Sequence, residues 1–525
     1  MSATTTRCKV FANLYKDSVS LMQLTAQLRE REGVAQASCV MATPANLAQL
    51  KDADLAIDVA PSPSDLLVVV RGEPQACDDA IAAAEANLQS KKAASGGGEA
   101  SAFELPLTSI ALGVELEPDA DLALISVPGD YAAAEAMKAL ALGLHVMMFS
   151  DNVSIAEERA IKTAARARGL LLMGPDCGTA IVNGVPLGFA NVVRRGDIGL
   201  VAASGTGLQE VTCRIHNLGG GISQALGTGG RDLKEEIGGI TMLQGLAALA
   251  ADAQTRVIVL VSKPPAPAIA HKIEEAAAAA GKPVVIHFLG GMPEGQHAGI
   301  VGAGSLREAA DFAVALARGE RARPQGDAPA ANAVAAVEAR AAKMAPSQTA
   351  VRGLFTGGTF CYEAQLAFLG RGLACSSNAP AHGAAKDDGK RGGHVFLDLG
   401  DDDYTRGRPH PMIDPSERNA MVRAQGTEPQ TAAIVFDVVL GYGAHADPAA
   451  PLAEALVDAQ RVAAAAGRSL ALIGHVCGTD GDPQGKAKQV QQLERAGAVI
   501  VGSNIEAAAL AAQLAQQLAS KRGAR

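Results

Sequence analysis

The chain has 525 residues, of which 48% are hydrophobic, 19% are charged and 3% are aromatic. This composition excludes a disordered chain and allows roughly three or four domains of about 100–200 residues each. A formal net charge of −9 without a dense run of Lys and Arg argues against nucleic acid as a partner. The sequence has no apolar run of about 18 residues, no secretory leader and no CxxC spacing among its eight cysteines. We therefore predict a cytoplasmic protein with reduced thiols, no membrane partner and no metal site.

Residues 1–90 contain strand-like and helix-like segments in a short stretch. The strand-like segments are CKVFANLY, ASCVMAT and DLLVVVRG, and the helix-like segments are SVSLMQLTAQLRER and CDDAIAAAEANLQ. This interleaving predicts a small ferredoxin-like α+β domain. The Gly-, Ser- and Ala-rich residues 91–102 are typical of a flexible linker.

Residues 103–195 alternate between continuous apolar runs and Ala-rich helical stretches. The apolar runs are LALISV, HVMMFS and GLLLMG, and YAAAEAMKALALG and SIAEERAIKTAARARG separate them. Buried strands joined by helices predict a parallel, doubly wound sheet, which makes this a Rossmann-like domain.

Residues 349–525 repeat the segment order of residues 196–320. The matching pairs are GLVAASGTGLQEV (199–211) with GLFTGGTFCYEA (353–364), DAQTRVIVLVSKPP (252–265) with EPQTAAIVFDVVLG (428–441), AAAGKPVVIHFLGG (278–291) with AAAGRSLALIGHVCG (464–478), and AGIVGAGSLREAADFA (298–313) with AGAVIVGSNIEAAALA (496–511). Four matches in one order predict two homologous flavodoxin-like domains, joined by a linker over residues 321–348.

Each repeated domain has a turn between its first strand and first helix that suits an anion. The residues concerned are Ser204, Gly205 and Thr206 in the first domain and Gly357, Gly358 and Thr359 in the second. Free N–H groups, hydroxyls and the helix dipole favour phosphate at such a position. If the domains pair about a pseudo-twofold axis, both helix N-termini face one site. The alternative is that the hydroxyl residues only cap their helices.

Several of these segments resemble known enzymes. GPDCGTA (174–180), GDIGLVAASGTGLQEV (196–211) and ALGTGGRDL (225–233) resemble the α subunit of succinyl-CoA synthetase, and GLFTGGTFCYEA resembles the C-terminal domain of its β subunit. The fused layout, with DLGDDDYTRGRPHPMID (398–414) and DVVLGYGAHADP (437–448), resembles the FdrA family. The resemblance implies that residues 103–195 are a CoA-binding-type domain and that the two helices converge on a phosphohistidine. It also links the chain to the oxamate carbamoyltransferase of allantoin and purine catabolism.

The resemblance assigns further residues to the active cleft. By analogy Asp176, Cys177 and Thr179 line it, although a turn-forming Asp and a buried Cys are the alternative. His297, in GQHAG, falls at the phosphohistidine position, and a surface histidine is its alternative. Lys263 stands where the synthetases present a glutamate. The ATP-grasp domain that charges the histidine in the synthetases is not in this chain.

The loop DDDYTRGRPHPMIDPSER of the last domain offers groups for a substrate. Arg406 and Arg408 present planar forks that suit a carboxylate or phosphate, and His410 between two prolines can act as acid or base. Solvated arginines are the alternative. His475 and Asp480 end another strand and are expected on the same rim, unless Asp480 only forms a turn.

These features lead to a functional hypothesis with two alternatives. The resemblance implies a carbamoyltransferase subunit that converts oxalurate and phosphate to oxamate and carbamoyl phosphate, with other subunits as partners and no firmly required cofactor. The first alternative is an NDP-forming acyl-CoA synthetase that uses CoA and ATP, with phosphorylated His297 and an ATP-grasp partner in trans. The second alternative is a scaffold subunit without catalytic activity.

Overall fold

The computed structural model describes residues 4–55, 57–94, 107–291, 299–324, 326–389, 392–406 and 408–523. Within these ranges the strands form two three-stranded and two seven-stranded sheets. None of the helices in the same ranges is long and apolar enough to cross a lipid bilayer. The mixed α/β fold class predicted from the sequence is confirmed.

The N-terminal domain is a three-stranded antiparallel sheet with helices packed on it. Its elements are β1 (Thr5–Phe11), α1 (Ser18–Arg29), β2 (Val34–Met41), α2 (Pro44–Asp52), β3 (Leu66–Gly72) and α3 (Pro74–Ala94). The strand order is β1-β3-β2. Central β3 is buried on both faces, with Val68 in the core beneath α1 and α3 and Val69 in the smaller core near α2. The sequence analysis did not predict helix α2. Its N-cap is Thr43, whose side-chain hydroxyl accepts a hydrogen bond from Asn46 N.

The second unit is a three-stranded parallel sheet. Its elements are α4 (Ile110–Leu116), β4 (Leu122–Ile125), α5 (Gly129–Ala141), β5 (His145–Met148), α6 (Ile155–Ala167) and β6 (Leu172–Met173). The hairpin that follows, β7 (Thr179–Val182) and β8 (Val185–Gly188), leaves this sheet and pairs through β7 with the next one. The chain after β6 therefore connects the two sheets directly.

The first seven-stranded sheet has flavodoxin-like order. Its further elements are β9 (Arg195–Ala203), α7 (Gly205–Asn217), β10 (Ile222–Gly227), α8 (Ile240–Ala251), β11 (Val257–Ser262), α9 (Pro267–Ala278), β12 (Val284–Phe288), β13 (Ile300–Gly302) and α10 (Leu306–Ala317). The order β13-β12-β11-β9-β10 is parallel throughout and corresponds to the 2-1-3-4-5 arrangement of flavodoxin. Ligands in such sheets bind beyond the carboxyl ends of the strands, next to the switch in strand order.

The second seven-stranded sheet repeats this order after the connecting helix α11 (Ala331–Ala341). Its elements are β14 (Ala350–Phe355), α12 (Gly358–Leu369), β15 (Cys375–Ser377), β16 (Ala385–Lys386), β17 (His394–Asp398), α13 (Asp402–Thr405), α14 (Ser416–Gln425), β18 (Thr431–Val439), α15 (Ala449–Ala465), β19 (Ala471–Cys477), α16 (Lys486–Arg495), β20 (Val499–Val501) and α17 (Asn504–Gly523). Strands β17-β14-β18-β19-β20 give the 2-1-3-4-5 order again, and β15 and β16 extend one edge. The predicted pair of flavodoxin-like domains is therefore confirmed.

The two flavodoxin-like domains share one hydrophobic core. It contains Leu208 and Val211 of α7, Phe360 and Ala364 of α12, and residues of α10 and α17. Helices α7 and α12 contact each other within this interface. Because each helix starts at the end of its central strand, this packing brings the two strand-to-helix turns together.

Candidate functional site

The N-termini of α7 and α12 meet directly. Ser204 Oγ lies 2.5 Å from Thr359 Oγ1, and it also accepts a hydrogen bond from Gly207 N at 3.0 Å. A Cβ atom on Gly357 would lie 3.1 Å from Thr206 Cβ, which is tighter than normal contact. The turn of the second domain thus needs glycine because the first domain approaches it closely.

Part of the second turn is already occupied by a side chain of its own domain. Buried Asp437 accepts hydrogen bonds from Thr356 N and Thr356 Oγ1, both at 2.7 Å, and from Gly357 N at 2.9 Å. Arg418 lies 3.8 Å from the Asp437 carboxylate. Gly357 therefore contributes the close approach, and its N–H group is not available to a ligand.

The amides that remain open belong to both helices. Those of Gly205, Thr206, Gly358 and Thr359 have no acceptor among the residues that the structure describes. Two helix N-termini with open amides create a positive potential at the point where they meet. This arrangement suits an anion such as phosphate.

A carboxyl group stands beside the open amides of α12. A Cβ atom on Gly358 would lie 2.3 Å from Asp398 Oδ2, so the two residues are in direct contact. Asp398 also accepts a hydrogen bond from Gly400 N at 3.0 Å. Burial raises the pKa of Asp398 to about 6, and the neighbouring Lys263 ammonium opposes this rise. Lys263 therefore faces this cleft, and Asp398 can change its protonation state near neutral pH.

Asp176 forms another wall of the same cleft. Its backbone has φ 56°, and its side chain keeps exposed surface although protein surrounds it, as expected on the floor of a cleft. Loss of hydration raises the pKa of Asp176 to about 7; Asp151 adds to the rise, and Arg231 opposes it. Asp176 is therefore a candidate for proton transfer near pH 7, and its place in an active cleft stays a prediction.

Thr179 and Cys177 support the cleft from behind. Buried Thr179 donates to Phe189 O at 2.7 Å, and its Oγ1 is 3.6 Å from the Cβ position of Gly205. Cys177 Sγ lies 3.4 Å from Gly227 O, and burial raises the pKa of this thiol to about 12. Cys177 is therefore a neutral packing residue rather than a nucleophile.

His410 faces the cleft beside Asp398. Its Nδ1 accepts a hydrogen bond from Met412 N at 3.2 Å, which places the ring proton on Nε2. That Nε2 lies 2.7 Å from the Cβ position of Gly400. Burial lowers the pKa of His410 to about 4, so the ring is neutral at pH 7 and can donate one hydrogen bond.

The two predicted substrate arginines line a neighbouring cavity instead. Arg408 donates to Glu417 at 2.7 Å, whereas the side chain of Arg406 has no hydrogen bond or ion pair with any described residue. Both border a cavity of about 190 Å³ between the N-terminal domain, the loops that follow β4 and β5, and the segment around α13. The two arginines therefore border a different space from the one at which the N-termini of α7 and α12 meet.

His475 and Asp480 lie at a different place from the one expected. His475 Nε2 is 2.8 Å from Glu210 Oε2, and Asp480 is 2.6 Å from His216 Nε2. Both border a pocket of about 430 Å³ beside the middle and C-terminal end of α7. His297 falls outside the described residues.

Two glutamates missed by the sequence analysis hold the meeting helices in place. Glu210 of α7 reaches His475 of the second domain, while Glu363 of α12 accepts from Leu306 N of the first domain at 3.1 Å and from Asn504 Nδ2 at 2.8 Å. Each helix is thus anchored to the opposite domain as well as to its own. The available signal was the repeat itself, since each glutamate follows the glycine that opens its helix by five positions.

A buried ion cluster joins the second unit to the first flavodoxin-like domain. Lys162 Nζ of α6 lies 2.7 Å from Asp232 Oδ1 and 2.9 Å from Glu158 Oε1. Asp232 accepts from Thr241 N and Met242 N at the start of α8, and Glu158 pairs with Arg231 at 2.9 Å. The cluster therefore holds Arg231 in the position from which it acts on Asp176.

Comparison with known protein families identifies three matching domains. Residues 1–104 match the model described as "AllF, heavy metal-associated domain", residues 193–290 match the CoA binding domain, and residues 354–514 match the CoA-ligase domain. The CoA-binding match covers most of the first flavodoxin-like domain, whereas the resemblance had suggested that function for residues 103–195. The CoA-ligase match covers the second flavodoxin-like domain.

The chain is also similar to individual proteins. The Escherichia coli protein YahF is 43% identical over 506 residues, which cover 95% of this chain and 96% of YahF. A succinate–CoA ligase subunit alpha of Archaeoglobus fulgidus is 30% identical, covering 36% of this chain and 65% of that subunit. The ADP-forming sulfoacetate-CoA ligase subunit SauD of Bilophila wadsworthia is 27% identical, covering 37% and 68%. The solved acetyl-coenzyme A synthetase 1 of Candidatus Korarchaeum cryptofilum is 16% identical with a TM-score of 0.31, covering 76% and 84%.

The matched name of the N-terminal domain implies a heavy metal ion, but the residues present do not fit one. Residues 1–104 contain Cys8, Cys39 and Cys77 and no histidine. Cys39 and Cys77 are buried, and no two of the three cysteines are spaced as a CxxC pair. Across the described ranges, no three His, Cys, Asp or Glu side chains are grouped as metal ligands.

Proposed function

Since the chain belongs to the FdrA family and is related to acyl-CoA ligases, we propose that it binds an acyl phosphate where α7 and α12 meet and transfers the acyl group to an acceptor. The observation that carries this proposal is the contact of Ser204 with Thr359 between two helix N-termini with open amides. An acyl phosphate offers a phosphate to these amides and a carbonyl carbon to the acceptor. The leading candidate acceptor is a thiol, as in NDP-forming acyl-CoA synthetases.

The open amides of both helices stabilise the phosphate that leaves. Negative charge grows on the bridging oxygen as the bond between the acyl carbon and phosphate breaks, and preoriented N–H donors stabilise this charge more than that of the ground state. Lys263 adds a positive charge on the same side, next to Asp398. Gly205, Thr206, Gly358 and Thr359 therefore serve as the phosphate site.

Asp176 and His410 supply the proton chemistry. The acceptor attacks the acyl carbon and loses its proton to the Asp176 carboxylate, whose pKa of about 7 suits a general base near neutral pH. The neutral His410 donates the Nε2 hydrogen to the acyl oxygen as it gains charge. The products are the acylated acceptor and free phosphate, and no nucleophile of the chain is consumed.

Carbamoyl transfer is the second candidate function. Carbamoyl phosphate is an acyl phosphate, so the same meeting point of the helices can bind it. The specific observation in its favour is the side chain of Arg406, which has no partner in the described ranges and borders a small cavity beside the cleft. In this case the acceptor is an amide-bearing oxo-acid rather than a thiol, and the chain acts with other subunits.

The affinity for acetyl phosphate and carbamoyl phosphate, measured by calorimetry, tests the proposal. A Gly357→Val substitution forces the two helix N-termini apart, because its Cβ meets Thr206 within 3.1 Å. We expect at least a tenfold loss of affinity for both ligands. The matched control is Gly113→Val, where a Cβ meets nothing within 4 Å. Equal affinity in wild type and Gly357→Val would contradict the proposal.

A further inference from the structure

The cavity of about 190 Å³ beside the cleft is built by three parts of the chain. The N-terminal domain contributes α1, β2 and α2, the second unit contributes the loops after β4 and β5, and the last domain contributes the segment around α13. Its volume lies below the roughly 300–1,000 Å³ of pockets for drug-sized ligands. A compact group fits inside it, and a complete coenzyme A does not.

Two cations from different domains border this cavity without protein partners. Lys16 comes from the loop before α1 and is half-buried, and Arg406 follows α13. Neither side chain forms an ion pair or hydrogen bond with a residue in the described ranges, and that of Arg406 is exposed. Arg408, by contrast, borders the same cavity but is paired with Glu417. A carboxylate or phosphate between Lys16 and Arg406 would therefore not displace an existing ion pair.

The lining of the cavity also carries three carboxyl groups, those of Asp130, Asp151 and Asp402. Asp151 and Asp402 border the cavity, and both act electrostatically on Asp176. Since these two carboxyls are near Asp176, the cavity adjoins the cleft, and a ligand whose anionic group lies at Lys16 and Arg406 can extend its other end toward Asp176. Because the carboxylates of Asp151 and Asp402 accept hydrogen bonds, that end of the ligand must carry a hydrogen-bond donor. A nucleophile with a removable proton is such a donor.

The N-terminal domain is fixed in the position that this cavity requires. Arg29 of α1 pairs with Asp414 of the last domain at 2.7 Å, and Tyr15 donates to Ser126 O of the second unit at 3.2 Å. The N-terminal domain therefore contacts both the second unit and the last domain, which form the other two walls of the cavity. Its residues do not fit the metal ion that its matched name implies, so this bridging is the role that its contacts support.

We infer that this cavity binds the anionic tail of the acceptor, and that the N-terminal domain serves as the wall that supplies Lys16. The inference rests on the proposed acyl transfer and adds the place of the acceptor to it. The shared chemistry is a carboxylate or phosphate held between Lys16 and Arg406. The small volume favours a carboxylate on a ligand of a few non-hydrogen atoms.

Calorimetric titration of the full chain with two probes, in the absence of acyl phosphate, tests this inference. Oxamate represents a small carboxylate, and 4′-phosphopantetheine represents a thiol with a phosphate tail. For the probe that binds, we expect Lys16→Ala and Arg406→Ala each to weaken affinity at least tenfold and Lys16→Arg to retain most of it. The matched control is Lys51→Ala, an exposed lysine of the same domain outside the cavity.

Each outcome of these titrations decides something. Lys16-dependent binding of oxamate supports a carboxylate tail, and Lys16-dependent binding of phosphopantetheine supports a phosphate tail. If neither probe binds wild type, or if Lys16→Ala binds as tightly as wild type, the inference is wrong. Because acyl phosphate is absent, this result is separate from the Gly357→Val test of the helix site.

A zinc titration tests the role of the N-terminal domain separately. We expect no site whose affinity changes in Cys39→Ser or Cys77→Ser. Tight zinc binding that either variant abolishes would show that the domain carries metal, and would overturn the conclusion that its residues do not fit a heavy metal ion.

Discussion

Asp176 and Asp398 give the cleft a charge that changes close to physiological pH. Both carboxyls lose hydration within the protein, which raises the pKa of Asp176 to about 7 and that of Asp398 to about 6. Two fully ionised carboxylates would repel a phosphate held by the neighbouring amides. Partial protonation lowers this repulsion, so the same residues that move protons also make the site compatible with an anion.

The pH dependence of acyl transfer follows from Asp176. As a general base it acts only when ionised, so we expect the rate to rise with pH through about 7 and then level off. Asp176→Asn removes the base and should lower the rate about 10²–10⁴-fold, leaving no rise near pH 7. The pH–rate profile of each variant measures this.

Asp480→Asn is the matched control for the pH profile, because Asp480 pairs with His216 away from the cleft. Its profile should match that of wild type. A rise near pH 7 that persists in Asp176→Asn would assign the base to another group.

At the scale of elements, the helices α7 and α12 share a motif, a glycine followed five positions later by a glutamate, and only the structure shows what these glutamates contact. The sequence predicted both helices and their glycine-hydroxyl turns, because strand and helix periods are local properties. It did not reveal that Glu210 and Glu363 bind the opposite domain, since their partners lie far along the chain. For the same reason it placed His475 on the wrong rim.

Removing the Glu210 carboxylate should destabilise the protein. Burial acts to raise the pKa of Glu210, but His475 holds it below its ordinary value, so the carboxylate is charged and paired. Breaking one partner of a buried pair costs about 3–5 kcal/mol. We expect Glu210→Ala to lower the melting temperature by roughly 2–4 °C per kcal/mol lost.

The pair that Asp480 forms with His216 of α7 provides the control for Glu210→Ala, because its carboxylate is 87% exposed. Asp480→Asn should leave the melting temperature unchanged, because exposed ion pairs contribute little. Equal melting temperatures for Glu210→Ala and wild type would mean that the contact between Glu210 and His475 does not stabilise the protein.

At the scale of the whole molecule, the internal repeat was the most informative feature of the sequence. Four matched segments predicted the two flavodoxin-like sheets, and their 2-1-3-4-5 strand order confirms that prediction. The placement of the N-terminal domain and the transfer of hairpin β7–β8 to the next sheet depend on contacts between distant residues. Burial and partners of Cys177 and His410 also arise only in the assembled molecule, so their pKa values could not be predicted from local sequence.

Lys162 tests how firmly the second unit is joined to the first flavodoxin-like domain. Lys162→Met leaves Asp232 buried without its cation and leaves Glu158 with Arg231 alone, which should cost about 3–5 kcal/mol and lower the melting temperature. Lys138→Met is the control, since Lys138 forms an exposed pair with Glu135. Thermal unfolding measures the melting temperature of both variants. Equal melting temperatures for Lys162→Met and Lys138→Met would contradict this prediction.

The reciprocal anchors of α7 and α12 make each flavodoxin-like domain part of the other's scaffold. The peptide linkage between them then acts mainly by raising the effective concentration of one half for the other, a role that a large buried interface can replace. A chain divided within residues 326–330 should accordingly reassemble from two co-expressed polypeptides and retain affinity for acyl phosphate. With Glu210→Ala in one half, the reassembled pair should dissociate at a higher protein concentration than the pair that keeps the contact of Glu210 with His475.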